Sequence, residues 1–270
     1  MLTAPSLRRA RAVAPRLVLL DEVGSTNTEL VARAADEPHF SVLATTNQTA
    51  GRGRLGREWV APAGASLAVS VLVRPGAESG EPFPAESLGW LPLAAGVAML
   101  RAVETVLTDR DVHLKWPNDV LVEGADGVER KLSGILSELA TDGSVVIGAG
   151  VNLSLGREQL PTPTSTSLTL EGVTADDLLD RVLGCYLGEL RELLSVLELS
   201  DGAADASELR DAVLAVCGTL GRDVYVDLPG GDRVHGRAVD VDGAGRLVLV
   251  AGDGSRIEVS AGDVTHLRYE

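Results

Sequence analysis

Residues 49–59 read Thr-Ala-Gly-Arg-Gly-Arg-Leu-Gly-Arg-Glu-Trp, and the fold turns on whether Gly51-x-Gly53-x-x-Gly56 is a dinucleotide fingerprint. In that fingerprint a glycine turn brings backbone against a pyrophosphate, which rests on the N-terminus of a helix that opens at once. No helix is expected here. After Gly56 come Trp59, Val60 and then Ala61-Pro62-Ala63-Gly64, where proline removes a donor and glycine breaks the helix. Glu78 has about the spacing of a ribose-binding acid, but it sits in the Pro-Gly-rich run 74–82 rather than at a strand end. The dinucleotide reading therefore fails. What remains is three forked cations, Arg52, Arg54 and Arg57, on a glycine-rich backbone with no acid between Gly51 and Arg57. In a chain of net charge -15 that island reads as an anion clamp.

Outward from this loop the pattern is mixed. Strands are expected at 16–23, 40–46 and 66–73, with a helix between the first two that Thr26-x-x-Glu29 opens as a capping box and that runs to about Ala35. Residues 87–107 carry helical periodicity with Pro92 in the first turn or two, and short strands follow at 112–116, 119–123, 131–139 and 144–153. Residues 175–197 and 206–217 are amphipathic helices. Beyond Gly218 four short alternating strands, separated by turns such as Pro229-Gly230-Gly231-Asp232, suggest a small β-barrel. The fold class is thus α+β: a mixed-sheet domain flanked by helices over residues 1–217, then a small barrel domain over 218–270.

Composition narrows the function. With 270 residues and 45% hydrophobic content, the chain can bury a large core. No apolar run approaches the roughly 18 residues a membrane helix needs, and no signal-peptide cleavage site is evident, so a cytoplasmic protein is expected. Cys185 and Cys217 make no disulfide framework, and the four histidines show no metal-ligand spacing. The acidic balance argues against a nucleic-acid partner. Only two of 24 basic residues are lysines, Lys115 and Lys131, and only four asparagines occur, Asn27, Asn47, Asn118 and Asn152. All six lie within the first 152 residues, inside short polar motifs. Where arginine is the default cation, a retained lysine points to a site that needs a compact charge.

Taken in order, Ser25-Thr26-Asn27, Gln48, Gly51-Arg52-Gly53-Arg54-x-Gly56-Arg57-x-Trp59, Lys115-Trp116-Pro117-Asn118-Asp119, Arg130-Lys131-Leu132-x-Gly134 and Gly150-Val151-Asn152 form a pattern that resembles the biotin protein ligases. The resemblance covers nearly the whole chain from about residue 20. It implies a class II synthetase-like catalytic domain with an SH3-like C-terminal barrel, and a two-step reaction. Biotin is activated by ATP, with Mg²⁺, to biotinyl-5′-AMP; biotin then passes to a lysine of the biotin carboxyl carrier domain of an acyl-CoA carboxylase. Carried over residue by residue, it implies that Ser25, Thr26, Asn27 and Gln48 hold the biotin head group, whose ureido ring needs both acceptors and donors. Gly51, Arg52 and Arg54 match the loop that folds over biotin and phosphate, and Trp59 matches its apolar wall. Lys131 matches the lysine between the biotin carboxylate and the α-phosphate, and Gly134 a point of close approach to the ligand. Arg57, Lys115, Asn118 and Asn152 match the nucleotide side. Asp119 is left with two readings, orienting the attacking amine or holding Mg²⁺ through water.

The Ser-Thr-Asn motif begins at Ser25, which leaves no room for the winged-helix domain of the family's repressors, so DNA binding is not expected. The acidic insertion 123–129 before Arg130 is somewhat long against the family pattern. A lipoate-protein ligase is the rival enzyme, but its R-R-x-S-G-G-G segment is absent. A non-enzymatic biotin-binding regulator is the rival of another class; retention of Lys115, Asn118 and Lys131 counts against it.

Overall fold

Long apolar strands near the middle of the chain pack between helices, and they set the architecture of the computed structural model, which describes residues 7–77, 80–204 and 208–266. Glu78 and the start of the helix expected from Ala206 lie outside the described residues. In chain order the elements are α1 (Arg8–Val13), β1 (Leu17–Leu20), α2 (Thr26–Ala32), β2 (Val42–Thr45), β3 (Ser66–Val73), α3 (Trp90–Glu104), β4 (Val112–Lys115), β5 (Asp119–Glu123), β6 (Glu129–Leu139), β7 (Val145–Asn152), α4 (Leu178–Leu199) and α5 (Glu208–Val216). They are followed by β8 (Asp223–Asp227), β9 (Arg233–Val241), β10 (Leu247–Val250), β11 (Arg256–Val259) and β12 (Asp263–His266).

The first seven strands form one mixed sheet in the order β1-β2-β3-β7-β6-β5-β4. β1 and β2 are parallel and the remaining neighbours antiparallel. β3 and β7 lie at the centre and are buried at every position, which is why both read as continuous apolar runs rather than as alternation. α3 and α4 pack against each other on one face of the sheet, and α3 is apolar nearly all round because it lies between the sheet and α4. α4 is amphipathic: Leu183, Leu187, Leu190 and Leu197 recur at helical spacing and are fully buried. Each such leucine contributes roughly 1.5–3 kcal/mol. α2 lies on the opposite face, over β3 and β7.

The second sheet has the order β11-β10-β9-β8-β12 and is antiparallel throughout. Two buried tryptophans pin it to the first. The Trp90 indole N–H donates to the Gly243 carbonyl at 2.7 Å, and that of Trp116 to Gly245 at 3.0 Å. A third contact gathers Arg222 (2.6 Å) and His113 (3.1 Å) on the Glu129 carboxylate.

Local details depart from the sequence reading. The cap of α2 is Ser25, whose hydroxyl accepts from Thr28 N–H, and Thr26 is already helical. α2 ends at Ala32, and Ala34–Asp36 form a separate 3₁₀ turn. Pro92 stands at the third position of α3, within the first turn, where its missing N–H costs nothing. α1 and β12 have no counterpart in the sequence reading. The loop 46–65 is less open than its glycines suggest. Gly53 N–H bonds the Arg57 carbonyl and Trp59 N–H the Gly51 carbonyl, folding its middle into a small hairpin. No helix follows Gly56.

Candidate active site

Small residues on three adjacent strands make the floor of a cavity on the α2 side of the sheet. Ala68, Gly150 and Gly134 stand in one register row, and Ser70, Gly148 and Leu136 in the next. Both β7 glycines are required by close approach. A methyl group at Gly148 would collide with the Asn27 amide, and one at Gly150 with the Trp59 indole. Asn27 therefore rests on one glycine and Trp59 on the other, forming two sides of the cavity. The Trp59 indole N–H is buried and has no acceptor among the described residues, so a donor remains available there.

The N-terminus of α2 builds one side of the wall. An isolated parallel bridge between Val23 and Gln48 extends the β1–β2 pairing and brings the Gln48 side chain to the start of the helix. There Thr26 N–H donates to Gln48 Oε1 at 2.9 Å, and the Thr26 hydroxyl lies 3.2 Å from the same atom. The buried Ser70 hydroxyl donates to Asn27 Oδ1 at 2.6 Å and lies 2.8 Å from Thr26 Oγ1. Asn27 Nδ2 in turn donates to the Leu136 carbonyl and to Glu138 Oε2 at 3.0 and 2.9 Å. Hydroxyls and amides are thus locked in fixed orientations before any ligand arrives.

The arginine hairpin closes the other side, and its three guanidiniums differ in their company. Arg52 pairs with Glu138 at 2.9 Å and Arg57 with Asp263. Arg54, between them, meets neutral oxygens: Asn118 Oδ1 at 2.9 Å and the Gly262 carbonyl at 3.2 Å. Burial holds the Arg54 guanidinium below its ordinary pKa, partly offset by Asp119 and Asp263 nearby, whereas the hydrogen bond that Arg57 donates to Asp263 raises the pKa of Arg57. Among the described residues Arg54 makes no ion pair, so its charge is the one poised for an anion. Opposite lies Lys131. A bulge in the β5–β6 pairing puts Lys131 on the same side as Gly134, three residues on, and its side chain folds down over that glycine. Its Nζ is 2.6 Å from Asp119 Oδ1, a close ion pair without hydrogen-bond alignment.

Residues 22–152 match the biotin/lipoate A/B protein ligase family, and residues 219–267 match the biotin protein ligase C-terminal domain. The biotin–[acetyl-CoA-carboxylase] ligase of Mycobacterium tuberculosis is 41% identical over 94% of this chain and 90% of its own length. The chain belongs to the biotin protein ligases. It is similar over 68% of its length to the bifunctional ligase/repressor BirA of Escherichia coli, at 35% identity, and spans 54% of that protein. The solved biotin protein ligase of Aquifex aeolicus, in complex with biotin and ATP, superposes with a TM-score of 0.73 at 26% identity, covering 94% of this chain and 99% of the other.

In this ligase the cavity brings together Ser25, Thr26, Asn27, Gln48, Arg52, Arg54, Arg57, Trp59, Asn118, Asp119, Lys131 and Gly134. Three of the site residues that the resemblance implied stay off its wall. Gly51 is buried against the Trp59 carbonyl and the Gln48 amide, and shapes the hairpin. Asn152 is buried at the end of β7, where its amide donates to the Thr166 carbonyl at 2.9 Å. It thereby fixes the segment to which Lys131 bonds through Thr164 and Thr166. Lys115 stands opposite Asp119 on β4, and its charge helps depress the pKa of His266. Ser70, Glu138, Gly148 and Asp263 are among the residues at the site that escaped the sequence reading. Only Gly148 left a signal, since Gly148 and Gly150 alternate within a strand, a mark of close backbone approach.

No group of three or more His, Cys, Asp or Glu side chains converges on a metal position among the described residues. No helix among them is long and apolar enough to cross a membrane.

Proposed function

We propose that this ligase joins biotin to AMP in the cavity between α2 and the arginine hairpin, and then passes biotin to a lysine of a carboxylase carrier domain. The carrying observation is the juxtaposition of two cations, Lys131 and Arg54, on the wall of one cavity that is also lined by fixed hydroxyls and amides. Thr26, Asn27 and Gln48 suit the ureido ring, and Trp59 over Gly150 suits the apolar ring and chain. In the first step a biotin carboxylate oxygen attacks the α-phosphorus of ATP, the bond to the bridging oxygen breaks, and pyrophosphate leaves with its electrons. Charge builds on the phosphoryl oxygens, where a compact ammonium at Lys131 and a desolvated guanidinium at Arg54 stabilise it without reorganising. In the second step a lysine amine attacks the biotinyl carbonyl, AMP departs and an amide forms.

Asp119 holds the Lys131 ammonium, which favours a positioning role over a metal site; Mg²⁺ then arrives on the nucleotide phosphates. Lys115 and Asn152 act on the nucleotide side indirectly, Asn152 by holding the segment next to Lys131. The chain divides at about Gly218 into a catalytic domain and a small barrel domain, and the carrier is that of acetyl-CoA carboxylase, as the name of the mycobacterial relative implies. The experiment is to mix pure protein with ATP, biotin and a carrier domain. Biotin-dependent pyrophosphate release, an acid-labile biotinyl-AMP and one labelled carrier lysine are expected. Pyrophosphate release that responds to lipoate and not to biotin would overturn the assignment.

A further inference from the structure

The two outer arginines of the hairpin are already neutralised, and by carboxylates from different parts of the molecule. Glu138 lies late in β6. One of its oxygens takes Arg52 at 2.9 Å and the other accepts from the buried Asn27 amide at 2.9 Å, so the hairpin is tied to the cavity floor. Asp263 opens β12 of the barrel and takes Arg57, while the neighbouring Gly262 carbonyl accepts from Arg54 at 3.2 Å. The barrel is itself fixed to the catalytic sheet by Trp90, Trp116 and the Glu129 cluster. The hairpin is therefore fastened on one side to the sheet and on the other to the second domain, and its middle arginine is left for the ligand.

From this geometry we infer that Glu138 and Asp263 are the two latch carboxylates of the arginine hairpin, positioning residues that keep it closed over the adenylate while Arg54 does the binding. The inference rests on the proposed adenylate chemistry for its second readout only. Arg52 and Arg57 then serve the reaction as fasteners, and the barrel serves it by holding Asp263 in place. Each ion pair is partly solvent-exposed and weak alone. Two such fastenings on one short hairpin act together, because opening needs both to break.

The test compares native protein with Glu138→Gln, Asp263→Asn and the doubly substituted chain, each of which removes charge and keeps shape. In ligand-free protein, amide exchange of residues 51–59 should quicken about threefold in each single variant and at least tenfold in the double, with exchange in β3 and β7 unchanged. With ATP and biotin, the ratio of free biotinyl-AMP to conjugated carrier should rise in the same order, and Asp263→Glu should restore it. Native exchange rates at 51–59 in the double variant would overturn the latch, whatever the enzyme makes. If exchange quickens but native protein forms no adenylate, the latch stands and the proposed reaction falls. A Tm loss with faster exchange throughout the sheet would mean that the carboxylates are merely structural, and would also overturn it.

Discussion

Lys131→Arg is the substitution for which structure and composition disagree most. The chain uses arginine at nearly every cationic position, so by composition the change is the mildest available. The geometry forbids it. Lys131 folds over Gly134 so closely that a methyl group there would lie 3.0 Å from Nζ and 3.1 Å from Cε, and Nζ is held 2.6 Å from Asp119. A planar guanidinium is too wide for that bed and must lift away from it, keeping the charge and losing its position. Losing one preorganised electrostatic contact costs on the order of 10² to 10³ in turnover, about 2.7–4 kcal/mol of barrier. Folding stability should hardly respond: the Lys131 side chain is 35% exposed, and such pairs contribute no more than about 1 kcal/mol, or about 2–4 °C in Tm. The assay is single-turnover pyrophosphate release with saturating biotin and ATP, alongside calorimetry. Gly134→Ala should act in the same direction by roughly tenfold, since the added carbon displaces the ammonium from below. Native rates of pyrophosphate release from Lys131→Arg would refute the reasoning and leave the rarity of lysine an accident of composition.

Three further outcomes follow from the same geometry. Arg54→Gly should release biotinyl-AMP into solution, seen as biotin on lysines of a bystander protein, because the hairpin loses its one unpaired cation; labelling confined to the carrier would remove Arg54 from the retaining wall. Ser70→Ala should cost about 1–3 kcal/mol of stability, since the buried Asn27 Oδ1 loses the hydroxyl that donates to it, and should weaken biotin binding by calorimetric titration; native affinity would show that the Asn27 orientation is set elsewhere. His266, where Arg222, Lys115, Glu129 and Thr219 meet, is held at about 4 by burial, with the Arg222 and Lys115 charges adding and Glu129 opposing. Its folded pKa lies below its unfolded value of about 6.5, so its contribution is whole above pH 6.5 and is lost as pH falls through 4. That amounts to about 2–3 kcal/mol between pH 7 and 4.5. Urea melts of His266→Gln should show a shallower acid decline than native protein, and identical slopes would exclude this histidine.

The sequence by itself determined the elements whose signal is local or repeated. Continuous apolar strands, leucines at helical spacing in α4 and turn signals after Gly218 each report burial through a pattern that a single segment contains. The order of polar motifs likewise identified the family, because each motif keeps its residue types at fixed short spacing. Three things needed the tertiary structure. Arg52, Arg54 and Arg57 are equivalent as text, and only the arrival of Glu138 from β6 and Asp263 from the barrel leaves the middle one without a carboxylate. Asn152 and Lys115 looked like their neighbours in the pattern, yet the end of β7 spends one on Thr166, and the other, paired with Asp119 on the edge strand β4, lies off the cavity wall with its charge felt at His266. Ser70 is a serine in an apolar strand until β3 lies beside β7 and under α2, where it orients Thr26 and Asn27. The reason is the same in each case: a charge, an amide or a hydroxyl acquires its role from the partner that the fold brings to it, and partners 14 to 208 residues away leave no trace in local spacing.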